Sequence, residues 1–194
     1  MNTLPQRHSI RLRHYDYSQA GLYFVTICTH EKQALFGEII DGKMRLNNAG
    51  KTAELEWHKT ESMREQIVLH DFVVMPNHVH GIIEIIHSSE TISVGAHCVR
   101  PHNDNFHDEN NNPTHHQNPV IGGRTQCAPT LGFVIRGYKA AVTKQINLLR
   151  HVAGQKVWQR NYHEHVIRNE PSYLKIAEYI QTNPLRWRDD CHYL

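Results

Sequence analysis

A chain of 194 residues, 39% of them apolar, can bury a sizeable core and allows one domain with room for an insertion. Its net charge of +2 is spread unevenly: residues 1–20 carry +2, residues 21–129 carry −5 (8 basic, 13 acidic) and residues 130–194 carry +5 (10 basic, 5 acidic), so the basic ends suit a polyanionic partner. Cys28, Cys98, Cys127 and Cys191 form no C-x-x-C pair, which argues against a zinc ribbon or redox motif and fits free thiols in a reducing cytoplasm, while the polar start and the lack of a long apolar run argue against a secretory leader and a membrane span.

Residues 1–20 read as a basic N-terminal arm in which Arg11 and Arg13 mix with His14, Tyr15 and Tyr17, a blend suited to phosphates and bases. The β-branched and aromatic run 22–29 predicts a central strand. Residues 35–40 and 44–46 flank Asp41-Gly42, a hairpin signal. Asn47 or Asn48 can cap a helix over 49–65, with Ala49, Ala53, Leu55 to Trp57 and Met63 as its apolar side.

Two strand-like runs, 67–74 and 82–86, flank Met75-Pro76-Asn77-His78-Val79-His80-Gly81. Pro76-Asn77 is a turn signal, so the runs read as adjacent antiparallel strands and His78 and His80 open the second. Residues i and i+2 of a strand share a face, which sets the two imidazoles side by side as half of a metal site. With 17 histidines in the chain, the triplet needs support from elsewhere.

Residues 88–130 turn rich in Asn, His, Gly, Thr and Pro and read as a mobile insertion whose histidines (102, 107, 115 and 116) lack a rigid frame. Leu131, Val134, Ile135, Tyr138, Ala141, Val142 and Ile146 recur at helical spacing, with Arg136, Lys139 and Lys144 facing elsewhere. The stretch 156–162 is polar and aromatic and leads into a strand or extended segment over 164–168. His163-Glu164-His165 repeats the His-x-His pattern, but its acidic middle residue would have to be buried behind the strand, which ranks it below the first pair. Arg136, Lys139, Lys144, Arg160 and Arg168 are candidate contacts to a DNA backbone, and Tyr162 or Trp158 could stack on bases.

The last helix opens after Asn169, with Glu170 and Pro171 in its first turn, and Pro184 ends it near Asn183. Tyr173, Ile176, Ala177 and Ile180 form its buried stripe. Tyr179 and Asn183, four apart, project from one side. Asn183 offers a carbonyl oxygen as a third ligand beside His78 and His80. A phenol with a pKa of about 10 is a poor nucleophile unless activated. A divalent ion that polarises a phosphoryl oxygen would let Tyr179 attack the phosphorus and form a phosphotyrosine. Tyr138 is the rival nucleophile, but it falls on an apolar stripe with Val142 four positions later.

These segments resemble the HUH single-tyrosine transposases, and within them the REP-associated tyrosine transposases. The residues that carry the likeness are Tyr23-Phe24-Val25-Thr26, Met75-Pro76-Asn77-His78-Val79-His80, Val157-Trp158-Gln159-Arg160-Asn161-Tyr162 and Glu178-Tyr179-Ile180-Gln181-Thr182-Asn183-Pro184. The likeness covers almost all of the chain except the insertion, and it makes 21–194 a single domain. It implies an α+β, ferredoxin-like (RRM-like) antiparallel sheet with helices packed on one face and a terminal helix carrying the tyrosine. It implies His78 and His80 as metal ligands for Mg²⁺ or Mn²⁺, Tyr179 as nucleophile and Asn183 as the ligand that completes the site, where the insertion-sequence branch has a glutamine. The expected activity is cleavage and rejoining of single-stranded, hairpin-bearing DNA through a 5′-phosphotyrosine, in a cytoplasmic, nucleoid-associated protein. Insertion-sequence members are homodimers whose tyrosine helix docks on the partner's histidines, which makes a homodimer the corresponding expectation. A relative that binds structured single-stranded DNA or RNA without cutting is the alternative. A structural metal protein is a third, and it would unfold on chelation.

Overall fold

The computed structural model describes residues 16–17, 19–86 and 130–193. Arg11, Arg13 and the insertion up to Pro129 lie outside them.

The order of elements is β1 (Gly21–Cys28), β2 (Gly37–Ile40), β3 (Lys43–Leu46), α1 (Asn48–Ser62), β4 (Ile67–Met75), β5 (His78–Ile85), α2 (Leu131–Leu149), β6 (His163–Ile167) and α3 (Glu170–Thr182). Four strands form one sheet in the order β4-β5-β1-β6, every pair antiparallel. β1 and β4 run parallel with β5 between them, and so do β5 and β6 with β1 between them. Two interleaved β-α-β units of this kind make the ferredoxin-like arrangement. The β2–β3 hairpin is inserted before α1. Its turn holds Asp41 at φ 51° and Gly42 at φ 70°, the two left-handed positions for which Asp-Gly is suited.

Alternation along the central strands divides the side chains between two cores. Tyr23, Val25 and Ile27 of β1 and Val79, Ile83 and Ile85 of β5 face α1 and α2, where they pack with Ala53, Trp57, Val134, Ile135, Tyr138 and Val142. Leu22, Phe24, Ile82 and Ile167 face the other way, under Tyr173, Ile176, Ala177 and Ile180 of α3. The expected stripe of α3 is therefore the one that packs. In α1 the buried set is Ala49, Gly50, Ala53, Glu56, Trp57 and Thr60, while Leu55 and Met63, counted with the apolar side from sequence, are exposed. Burying Trp57 at the centre of the helix turns Leu55 and Met63 outward. Glu56 is tolerated inside because Lys59 Nζ donates to its carboxylate at 2.7 Å.

Trp57 also explains why residue 81 has no side chain. Its ring stacks on Phe72 at 4.4 Å between centroids, and a Cβ on Gly81 would run into its Cζ2. Gly81→Ala is expected to cost about 1–3 kcal/mol by overpacking, measured as a fall in the denaturation midpoint at an unchanged m-value. No helix among the described residues is long and apolar enough to cross a membrane.

Candidate metal centre and active site

His78 and His80 open β5 opposite Cys28 and Thr26 of β1, on the α3 side of the sheet. Both are buried, at 0% and 1% exposure, with their Nε2 atoms 2.9 Å apart. The hydrogen bonds around them fix much of the proton placement. The Asn77 amide Nδ2 donates to the His192 carbonyl at 2.8 Å, which leaves Asn77 Oδ1, an acceptor only, 2.8 Å from His78 Nδ1. His78 Nδ1 therefore carries the proton, and Nε2 presents a lone pair. His80 Nδ1 lies 2.8 Å from the Thr26 hydroxyl, which can accept or donate and so suits either tautomer. Burial, then His80 and His192, pull the His78 pKa far below the usual imidazole range; burial, then His192, does the same for His80. Both rings are neutral, the form that binds a cation.

The Pro76-Asn77 turn and the close of α3 bring the rest of the site to this pair. Asn169 caps α3, its side chain accepting from Ser172 N at 2.9 Å. Tyr179, two turns further on, sets its hydroxyl 3.3 Å from His80 Nε2, and Phe24 packs against both rings. One chain thus brings the tyrosine to the histidines without a second copy. Pro184 stops the helix, and the chain tightens into a single 3-10 turn, Trp187–Asp189, that swings Asp190 back over Tyr179.

Asp190 is the residue that sequence reasoning missed. Its Oδ2 accepts from the Tyr179 hydroxyl at 3.1 Å and from Asn183 Nδ2 at 2.7 Å, and its Oδ1 accepts from His192 N at 2.6 Å. Burial works against its charge, but the Asn183 amide and the His192 backbone N–H outweigh it and hold the carboxyl below its ordinary pKa. The phenol of Tyr179 is pushed well above its ordinary value, first by burial and then by Asp190. Asp190-Cys191-His192 is a run of three ligand-type side chains next to the basic tail, and that was the available signal. The His192 ring also lies against His78, tilted and 4.6 Å away between centroids, and its Nδ1 lies 3.7 Å from Cys28 Sγ.

The donor set suits a small divalent cation. The ligand atoms of His78, His80 and Asp190 all lie within 4.8 Å of one another. Asn183 is 2% exposed, and with Nδ2 committed to Asp190 its Oδ1 is buried without a hydrogen-bond partner. A buried carbonyl oxygen without a donor is costly unless something electropositive meets it. Two imidazole nitrogens with an amide and a carboxylate oxygen are borderline-to-hard ligands of the kind taken by Mn²⁺ or Mg²⁺.

The expected DNA contacts divide. Arg136, Lys144, Arg160 and Arg168 are exposed. Arg136 and Lys144 lie on α2, on the sheet face opposite the histidines. Lys139 is spent inside the fold: its Nζ donates to the carbonyls of Gln159, Arg160 and Asn161 at 2.6, 3.3 and 3.4 Å, and burial lowers its pKa. Lys139→Met is expected to destabilise the chain by about 1.5–3 kcal/mol in chemical denaturation, the range for hydrogen bonds to a charged group. Tyr162 packs against the larger core, as does Trp158, and Tyr138 is buried with its hydroxyl donating to the Ala53 carbonyl at 3.1 Å. His163 and His165 are exposed on β6.

No family model matches the chain. A relative from Haemophilus influenzae (strain ATCC 51907 / DSM 11121 / KW20 / Rd), described as an uncharacterized protein, is 40% identical over 188 residues, spanning 97% of this chain and 93% of its own length. A solved structure of a REP-associated tyrosine transposase bound to a REP hairpin superposes with a TM-score of 0.53 at 19% identity, covering 93% of this chain and 74% of that one.

Proposed function

The chain belongs to one family with the Haemophilus influenzae protein and has the fold of a REP-associated tyrosine transposase, and on that footing we propose that it cleaves and rejoins hairpin-bearing single-stranded DNA through a 5′-phosphotyrosine. The observation that carries the reading is the 3.3 Å approach of the Tyr179 hydroxyl to His80 Nε2 within one chain. A tyrosine on a helix packed over a sheet has no structural need of two neutral imidazoles and an unpartnered amide oxygen.

In this reading His78, His80 and an oxygen of Asn183 or Asp190 hold Mg²⁺ or Mn²⁺. The ion, when bound, supplies polarisation of a phosphoryl oxygen and neutralises charge building on it. The residues of the chain do the rest. Asn77 and Thr26 fix the two imidazoles from behind and so orient the pair. The raised pKa of Tyr179 keeps the phenol protonated until it attacks, with Asp190 as the carboxylate in reach of its proton. As Tyr179 Oη bonds phosphorus, the P–O3′ bond breaks, and the departing oxygen takes a proton to become a 3′-hydroxyl. The number of phosphate ester bonds is unchanged, so a later 3′-hydroxyl can displace the tyrosine and reseal the strand without an external energy source.

The test is incubation of the full chain with labelled hairpin oligonucleotides in Mn²⁺ or Mg²⁺. A covalent protein–DNA species that forms with metal and is absent in chelator supports the reading. Tight binding with no cleaved strand under every condition supports the non-cutting binder instead, a reading favoured by the way Asp190 and His192 cover the histidine pair.

A further inference from the structure

At the far end of α3 from Tyr179 lies a cavity of about 580 Å³, within the range of small-molecule sites. It opens on the same sheet face as the histidines, since Glu84 follows His78, His80 and Ile82 at alternate positions of β5. A β-bulge between Leu69 and Phe72 re-aims β4 there and turns His70 and Asp71 toward α3. His70 Nε2 sits 2.9 Å from Glu84 Oε2, and the Tyr173 hydroxyl lies 3.3 Å from His70 Nδ1 and 3.4 Å from Asp71 Oδ2. Leu22, Ile167 and Tyr173 give apolar walls, and Arg168 and Glu170 stand at the lining.

We infer that this cavity receives one unpaired base of the DNA strand and prefers bases that carry an exocyclic amino group. The inference rests on the reading above and extends it from cleavage to selection. Three features point to a base. The walls are apolar and include an aromatic ring, which suits the flat face of a nucleobase. Two carboxylates among the lining residues disfavour a phosphate as the buried group. Glu84 Oε1 has no hydrogen-bond partner among the described residues, so a carboxylate oxygen is free to accept, as an exocyclic amine requires. Arg168, with no ion pair among the described residues, is placed to meet the phosphate next to that base. Thymine alone among the DNA bases has no exocyclic amine, and its O4 would face the carboxylate as acceptor against acceptor. The two sites share one helix and one strand. Tyr173 and Tyr179 are about 9 Å apart along α3, and Glu84 and His80 about 13 Å apart along β5, so one strand of DNA can occupy both.

The experiment uses the full chain and a set of hairpin oligonucleotides whose single-stranded flanks carry thymine, cytosine or adenine at each position in turn, with affinity read by fluorescence anisotropy. At one flank position thymine is expected to weaken binding about tenfold or more relative to cytosine or adenine. Glu84→Gln, which offers thymine O4 an amide donor, is expected to shrink that gap to about threefold or less. The wild-type comparison needs no variant and stands even where Glu84→Gln does not fold. Equal tolerance of thymine at every position, or an unchanged gap in a folded Glu84→Gln, overturns the inference. If a Tyr179 adduct still forms in that case, the cleavage reading survives it; a wild type that binds no hairpin DNA sinks both.

Discussion

Tyr179→Phe is expected to abolish the covalent protein–DNA species and to lower strand cleavage at least about a thousandfold, while the protein stays folded and keeps its affinity for the uncut hairpin. Loss of a nucleophile in other enzymes costs up to about a millionfold, and what remains comes from binding and electrostatics. The ring stays packed on Phe24, and the stability lost should be no more than the hydroxyl's hydrogen bond to Asp190 is worth, about 1.5–3 kcal/mol. The contrast is Tyr138→Phe. That hydroxyl is buried and donates to Ala53, so its loss is expected to cost about 1 kcal/mol of stability, with the adduct still formed. An adduct in Tyr179→Phe at the wild-type level removes this residue from the chemistry.

The second large effect concerns the histidine pair. Adding Mn²⁺ to the metal-free protein at about one hundred times its Kd is expected to stabilise it by about 2.7 kcal/mol, a rise of about 5–10 °C in Tm for a chain of this size. His78→Ala, His80→Ala and the double variant are expected to lose that rise together with cleavage. The quantity to compare is the metal-induced shift, because each truncation also opens a cavity that lowers Tm by itself. Asn183→Ala is expected to retain part of the shift, since Asp190 can still supply an oxygen. Chelation is expected to leave the fold in place, because both apolar cores are built from side chains other than the two imidazoles. A chain that unfolds in chelator, or one whose Tm ignores Mn²⁺, contradicts this assignment.

Local signals in the sequence were legible. Asp41-Gly42 makes the expected hairpin, Asn47 and Asn169 cap α1 and α3, and Pro76-Asn77 turns the chain between β4 and β5 so that His78 and His80 share a face. The strand and helix order, with its ferredoxin-like sheet, followed from such signals and from the family resemblance. α1 and α2 share one face, and the terminal helix with the tyrosine covers the other. What the sequence concealed depends on contacts between distant residues. Leu55 and Met63 look apolar enough for a core, but the large Trp57 sets the rotation of α1. Lys139 reads as a free cation on a basic helix, although a loop twenty residues away takes its three protons. Asp190 looks like a solvated tail residue until the turn after Pro184 brings it onto Tyr179. The strand expected over 164–168 is β6, His163–Ile167, and its His163 and His165 are exposed on it.

The most direct measurement is mass spectrometry of the protease-digested protein after reaction with a hairpin oligonucleotide in Mn²⁺. The expected product is a nucleotide joined through a 5′-phosphate to the α3 peptide at Tyr179, accompanied by a free 3′-hydroxyl strand that can displace it. A cleaved strand ending in a free 5′-phosphate with no modified peptide, or a nucleotide attached anywhere other than Tyr179, would contradict it.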